Sequence, residues 1–207
     1  MPRAGLTRDR VVAAAAALAD ELGLARLTFA LLAGSLGVRQ PSLYKHVDGL
    51  PDLRRAMAAR AKTELTAELA GSAVGRARGD AVTAMALAYR RWANDHPGRY
   101  AAIQRAPEPG DAEDEAASGR LVGVLTDVVA GYDLRGADAV DAIRFVRAAL
   151  HGFVSLESDA VGGFTLPIDV DRSFDRLVRA VVTALASWAA AGSGASPARA
   201  LLSQCPA

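Results

Sequence analysis

Cysteine is all but missing: the 207 residues contain one, Cys205, close to the end. No disulfide can form within such a chain, which fits a reducing, cytoplasmic setting and makes Cys205 a free tail thiol. Metal and nucleotide motifs are also lacking. There is no CxxC, no HExxH and no glycine-rich phosphate loop after a strand, and the three histidines lie far apart. The sequence therefore predicts no enzyme, no cofactor and no metal site. Aromatics reach only 5%, too few for the strand-rich sequences that favour aromatic and β-branched residues. Long apolar runs are absent as well. VVAAAAALA at 11–19 is too short to span a bilayer and is closed by Asp20 and Glu21, and MPRAGLTRDR lacks the apolar centre of a signal peptide.

Apolar residues nevertheless make up 51% of the chain, with alanine dominant, which predicts an all-α protein of about nine close-packed helices. The net charge is only +1, but it is unevenly placed. Residues 1–62 hold ten Arg or Lys against five Asp or Glu, a balance of +5, and the remainder holds fourteen against eighteen, a balance of −4. A basic N-terminal part is the footprint expected of a nucleic-acid-binding head, and an acidic remainder stays off the polyanion.

The basic part contains TFALLAGSLGVRQPSLYKHV at 28–47. Phe29, Leu32, Ala33 and Leu36 recur at three and four residues, one face of a short helix. Thr28 can cap it, and Gly37 ends it where a left-handed backbone costs nothing. Arg39, Gln40 and Pro41 then open a second helix, in which Leu43 and Val47 form the buried stripe. This is helix-turn-helix spacing, although a helical hairpin with a charged outer face has the same pattern. On the polar side Gln40 suits an adenine edge, Ser42 either kind of base, and Arg39 a guanine or a phosphate. Tyr44, Lys45 and His46 suit flanking phosphates.

LGVRQPSLYKHV at 36–47 resembles the DNA-reading segment of the tetracycline-repressor (TetR) family, and the likeness runs from about Thr7 to Met57. The resemblance implies an N-terminal three-helix DNA-binding domain, followed by a helical domain that binds ligand and dimerises. It also implies base contact from Arg39, Gln40, Pro41 and Ser42 and phosphate contact from Thr28, Tyr44 and His46; Lys45 stands where the family varies. In one departure, family members often carry a lysine at the start of the fourth helix, whereas DGLPDL has Leu50 and no base before Arg54. LHGFVSLE at 150–157 resembles the WHG-type C-terminal regulatory domain of one branch, with Leu150 in place of the usual Trp.

In order, Thr7 caps a first helix from about Arg8 to Leu22, with Val11, Val12, Ala15, Leu18, Ala19 and Leu22 inward. Arg3, Arg8 and Arg10, at or before its first turn, either touch DNA or are solvated. A long helix from Pro51 or Asp52 to Leu69 carries Leu53, Met57, Ala61, Leu65 and Leu69 on one stripe and joins the two domains. A loop is expected over 71–80, then a helix from Asp80 to about Asp95 ending at His96, and a short one from Tyr100 to Ala106. Residues 105–118 read as an acidic loop, whose EDE run at 113–115 is better explained as solvated than as a cation site. Helices follow from Glu113 or Glu115 to Ala130, over 137–156 and over 171–191. The domains are expected at 1–50 and 51–192, with a flexible tail over 193–207.

The last two long helices are predicted to form a homodimer through a four-helix bundle. Between the helices a ligand pocket is expected, with Tyr89, Trp92, Phe145, His151 and Phe153 as its candidate contacts; plain core packing explains the same aromatics. The function predicted is a transcriptional regulator, foremost a repressor that binds a palindromic double-stranded DNA operator and is released by a small-molecule effector. An activator, or a helical protein-interaction module, are the alternatives.

Overall fold

A computed structural model describes residues 5–158, 163–166 and 169–191. Arg3, Cys205 and the expected tail over 193–207 lie outside the described residues. Within these the chain is helical, with eight α-helices, two short 3-10 helices and no strand.

Helix α1, Arg8–Leu22, starts where the Thr7 hydroxyl accepts from the Arg10 amide at 3.2 Å, and it buries Val11, Val12, Ala15, Ala16 and Ala19. Helix α2, Phe29–Leu36, is capped by Thr28, whose hydroxyl accepts from Leu31 N at 3.3 Å. It ends at Gly37, which takes the left-handed conformation at φ 65° that the sequence required. The next element, Gln40–Lys45, is a 3-10 helix instead of the α-helix that the spacing suggested. Proline at its first turn removes a donor, and the segment has only six residues before Asp48 and Gly49 reverse the chain. Leu43 and Val47 still fall on its inner side, 0% and 2% exposed.

Helix α3, Leu50–Ala73, runs a full turn beyond the expected end at Leu69. Gly71 lowers helix propensity by only about 1 kcal/mol relative to alanine, and the Ser72 hydroxyl donates back to the Leu69 carbonyl at 2.7 Å. The expected loop over 71–80 therefore shrinks, and α4 spans Arg78–Asp95. Helix α5 is Pro97–Ala102, earlier than the expected Tyr100 to Ala106. Pro97 presets the backbone angle of a first helical turn, so the helix begins immediately after His96 ends α4. Helix α6 is Ala112–Ala130. Asp111 caps it by accepting from Asp114 N at 3.1 Å, which draws the EDE run out of the expected loop and into a first turn. Helices α7, Gly136–Glu157, and α8, Val170–Ala191, begin and end within a residue of expectation.

Two apolar cores result. One gathers α1, α2, Leu43, Val47 and the start of α3 through Leu53, Ala56 and Met57. The other begins on the same helix at Ala61, Leu65 and Leu69 and continues through α4 to α8. All five residues of the expected α3 stripe are buried, so α3 belongs to both cores. A second link is the seat of α5 on α1. Asp20 accepts from the Arg99 amide at 2.9 Å and pairs with the Arg99 side chain at 3.1 Å.

Candidate DNA-reading head and effector cavity

Gln40, Pro41, Tyr44 and Lys45 are exposed along the short 3-10 helix, as is Arg39 at its cap, and Ser42 and His46 are half-buried beside them. Tyr44 stands out from the surface with its ring edge-on to Phe29, at 5.0 Å between centroids. Arg8 fastens the far end of this segment. Its guanidinium donates to the His46 carbonyl at 3.0 Å and to both carboxylate oxygens of Asp52 at 2.9 and 3.0 Å. Hydrogen bonding to Arg8, aided by the Asp48 amide and opposed by burial, holds the Asp52 carboxyl down at about 2. Arg8 thus has a structural role that the sequence did not reveal. Arg54, the first base of α3, turns inward, with one nitrogen 3.4 Å from the Leu24 carbonyl. The phosphate clamp that the sequence placed in doubt therefore has no substitute there.

A partly open cavity of about 320 Å³ lies between α3, α4, α6 and α7 and the segment that follows α5, residues 103–107. Leu65, Leu69, Met85, Leu121 and Leu125 are among its apolar walls, and Lys62, Ser118, Tyr89, Arg105 and Arg147 bring polar atoms to it. Lys62 Nζ donates to Asp114 Oδ1 at 2.6 Å, with both side chains buried, and so ties α3 to α6. The middle carboxylate of the EDE run is therefore a buried ion-pair partner, where the sequence reading had a solvated face.

Tyr89 connects the cavity to a second, more open cleft. Its hydroxyl lies 3.0 Å from that of Tyr100, which lies 2.6 Å from Nδ1 of His151, and Ser155 Oγ is 3.3 Å from the same nitrogen. Burial pushes the Tyr89 phenol far up, and its bond to Tyr100 adds to this. Burial, with the Arg147 charge, pushes the His151 imidazole down. A neutral imidazole can accept from Tyr100, which accepts from Tyr89 in turn. Tyr100, His151 and Ser155 face the second cleft, whose far side is Gly23 to Ala25 beside the reading head.

A family model described as tetracyclin repressor-like, C-terminal domain, matches residues 82–181. The chain is 42% identical over 176 residues to the uncharacterised HTH-type transcriptional regulator Rv0681 of Mycobacterium tuberculosis, a likeness covering 84% of this chain and 79% of the relative. The chain belongs to the TetR family. Solved structures share the fold of this TetR-family regulator. A Rhodococcus protein of unknown function superposes with a TM-score of 0.72 at 24% identity, covering 89% of this chain and 98% of its own. A variant of TetR from Acinetobacter baumannii, solved in complex with minocycline, superposes with a TM-score of 0.67 at 22% identity, covering 87% and 96%.

In this TetR-family chain the aromatic residues singled out in the sequence do not share one wall. Of the five, only Tyr89 lines the cavity, and His151 joins it through Tyr100. Trp92 is 6% exposed and packs edge-on to His96. Phe145 lies against Trp188, whereas Phe153 packs between Phe164 and Phe174. LHGFVSLE lies inside the matched span, and its chemistry is now visible: Leu150 is core, His151 ends the hydroxyl chain, and Glu157 pairs with Arg90 at 2.8 Å. Arg90 also pairs with Asp171 at 2.8 Å and lies 4.7 Å over the Phe174 ring, so α4, α7 and α8 meet at one guanidinium. Sequence reasoning missed Lys62, Arg105, Ser118 and Arg147. The one available signal was Lys62, a rare lysine directly beside Ala61 of an apolar stripe.

Proposed function

We propose that this regulator is a repressor that binds a near-palindromic operator as a homodimer and is released by a small molecule entering the cavity of about 320 Å³. The observation that carries this reading is α3. Its first turns are core of the reading head at Leu53 and Met57, and its later turns wall the cavity at Lys62, Leu65 and Leu69. A ligand that favours one tilt of a rigid helix shifts the head in proportion to its differential affinity for the two states. The cavity lies within the usual range of about 300 to 1,000 Å³ for small-molecule sites. Minocycline in complex with a TetR of the same fold supports a small-molecule effector.

Arg39, Gln40, Pro41 and Ser42 are the residues we assign to base edges, and Thr28, Tyr44, Lys45 and His46 to phosphates; six of the eight are exposed, and Ser42 and His46 are half-buried beside them. For the dimer, α7 leaves Val140 exposed at 45%, and α8 leaves Trp188 exposed at 37% with its ring against Phe145. Exposed apolar side chains on these two helices suit an isologous contact. Among the described residues no helix is long and apolar enough to cross a membrane, and we place the regulator in the cytoplasm with its operator.

The test is selection of bound sequences from a pool of random duplexes at two salt concentrations. Enrichment of a palindrome whose half-sites lie about 34 Å apart, with affinity falling steeply as salt rises, is the expected result. Weak, salt-insensitive binding without enrichment would refute the reading.

A further inference from the structure

The charged lining of this cavity is of one sign. Lys62, Arg105 and Arg147 border it and no Asp or Glu does. Lys62 is already neutralised by Asp114. Arg105 and Arg147 are exposed, and among the described residues neither has a carboxylate within ion-pair distance. Arg147 is near enough for its charge to act on the hydroxyls of Tyr89 and Tyr100 and on the His151 ring. A further donor stands on the α6 wall. Ser118 Oγ is shielded from solvent and has no hydrogen-bond partner, an uncommon state for a buried hydroxyl.

The geometry points to an apolar organic anion, a carboxylate or comparable acid carried on a hydrocarbon or aromatic body, as the ligand class of this cavity. Arg147 and Arg105 hold the acid at the rim and the leucine-rich interior takes the body. An arginine fork matches a carboxylate bidentately, and a head held at the rim keeps part of its hydration, so the full cost of burying an unpaired ion is not incurred. A cationic amphiphile would meet like charge at the rim. A neutral one would gain only the apolar wall. The inference rests on the proposal that this cavity is the effector site and specifies the effector's charge.

The test is calorimetric titration of the full chain with octanoate, 1-octanol and octyltrimethylammonium, each below its aggregation concentration. Octanoate is expected to bind about tenfold or more tighter than octanol, the size of one charge-assisted hydrogen bond, and octyltrimethylammonium weakest. The double variant Arg105→Gln/Arg147→Gln should erase the advantage of octanoate and leave octanol binding as it was. Leu121→Trp, or the milder Leu125→Phe, should weaken both by filling the cavity. Equal binding of octanoate and octanol, lost in the filled variants, would overturn the charge inference and leave the effector site standing. Octanoate binding indifferent to the filled variants would place the anion elsewhere and overturn the inference, as would binding of none of the three probes.

Discussion

A methyl group added at Gly98 would lie 2.2 Å from the carbonyl oxygen of Ala19. The glycine is what allows α5 of the regulatory part to sit directly on α1 of the reading head, where Asp20 receives the Arg99 amide. Gly98→Ala must push the two helices apart. We expect a loss of about 1–3 kcal/mol, the usual range for overpacking a well-fitted contact, read as a lower midpoint in urea unfolding. An unchanged midpoint would show that the α1–α5 seat is loose.

The buried pair between Lys62 and Asp114 makes a sharper case, because each charge is neutralised only by the other. Lys62→Met alone should cost about 3–5 kcal/mol by stranding a buried carboxylate, and the double variant Lys62→Met/Asp114→Leu should recover most of it. Thermal unfolding of the three proteins gives the comparison. Equal damage from the single and double variants would mean that packing, not charge, is what Lys62 provides.

Stability should respond to acid through Asp52. Its carboxyl, held at about 2 by Arg8 against an ordinary 3.8, contributes fully above the ordinary value and loses that contribution as pH falls from 3.8 through about 2. Both side chains reach solvent, so the contribution is at most about 1 kcal/mol. Asp52→Asn should therefore be less stable than the parent at pH 7, and the gap should narrow as pH falls from 3.8 and close below about 2. A gap that persists in acid would assign the effect to the hydrogen bonds of Asp52 instead of its charge.

On the selected duplex, Gln40→Ala should cost about 1–3 kcal/mol and relax the preference at one base pair. Tyr44→Phe should instead weaken binding to all sequences alike, because a phosphate contact carries no sequence information. Gln40→Ala that leaves both affinity and preference unchanged would remove it from the base-reading set.

The elements that were legible in the sequence are those written by local rules. Thr28, Gly37 and Pro41 act on their own backbone or its near neighbours, and the α3 stripe from Leu53 to Leu69 needs only helical periodicity. The cavity was not legible, since its lining comes from four helices and the segment after α5 and its charges include residues on exposed faces. Arg147 looks like any solvated arginine until α6 and α7 are set beside each other, and Asp114 looks like part of an acidic loop until Asp111 caps it into a helix facing Lys62. Aromatics at helical spacing suit a pocket wall or a core alike, and only the packing shows that Trp92 lies against His96 and Phe153 against Phe164 and Phe174.

The most direct test of α3 as the link between cavity and head is amide hydrogen exchange with and without the selected operator duplex. If α3 couples the two, protection on DNA binding extends past Met57 into the turns from Lys62 to Leu69 that wall the cavity. Protection confined to the reading head, up to Met57, with the later turns of α3 exchanging as in the free protein, would contradict the account.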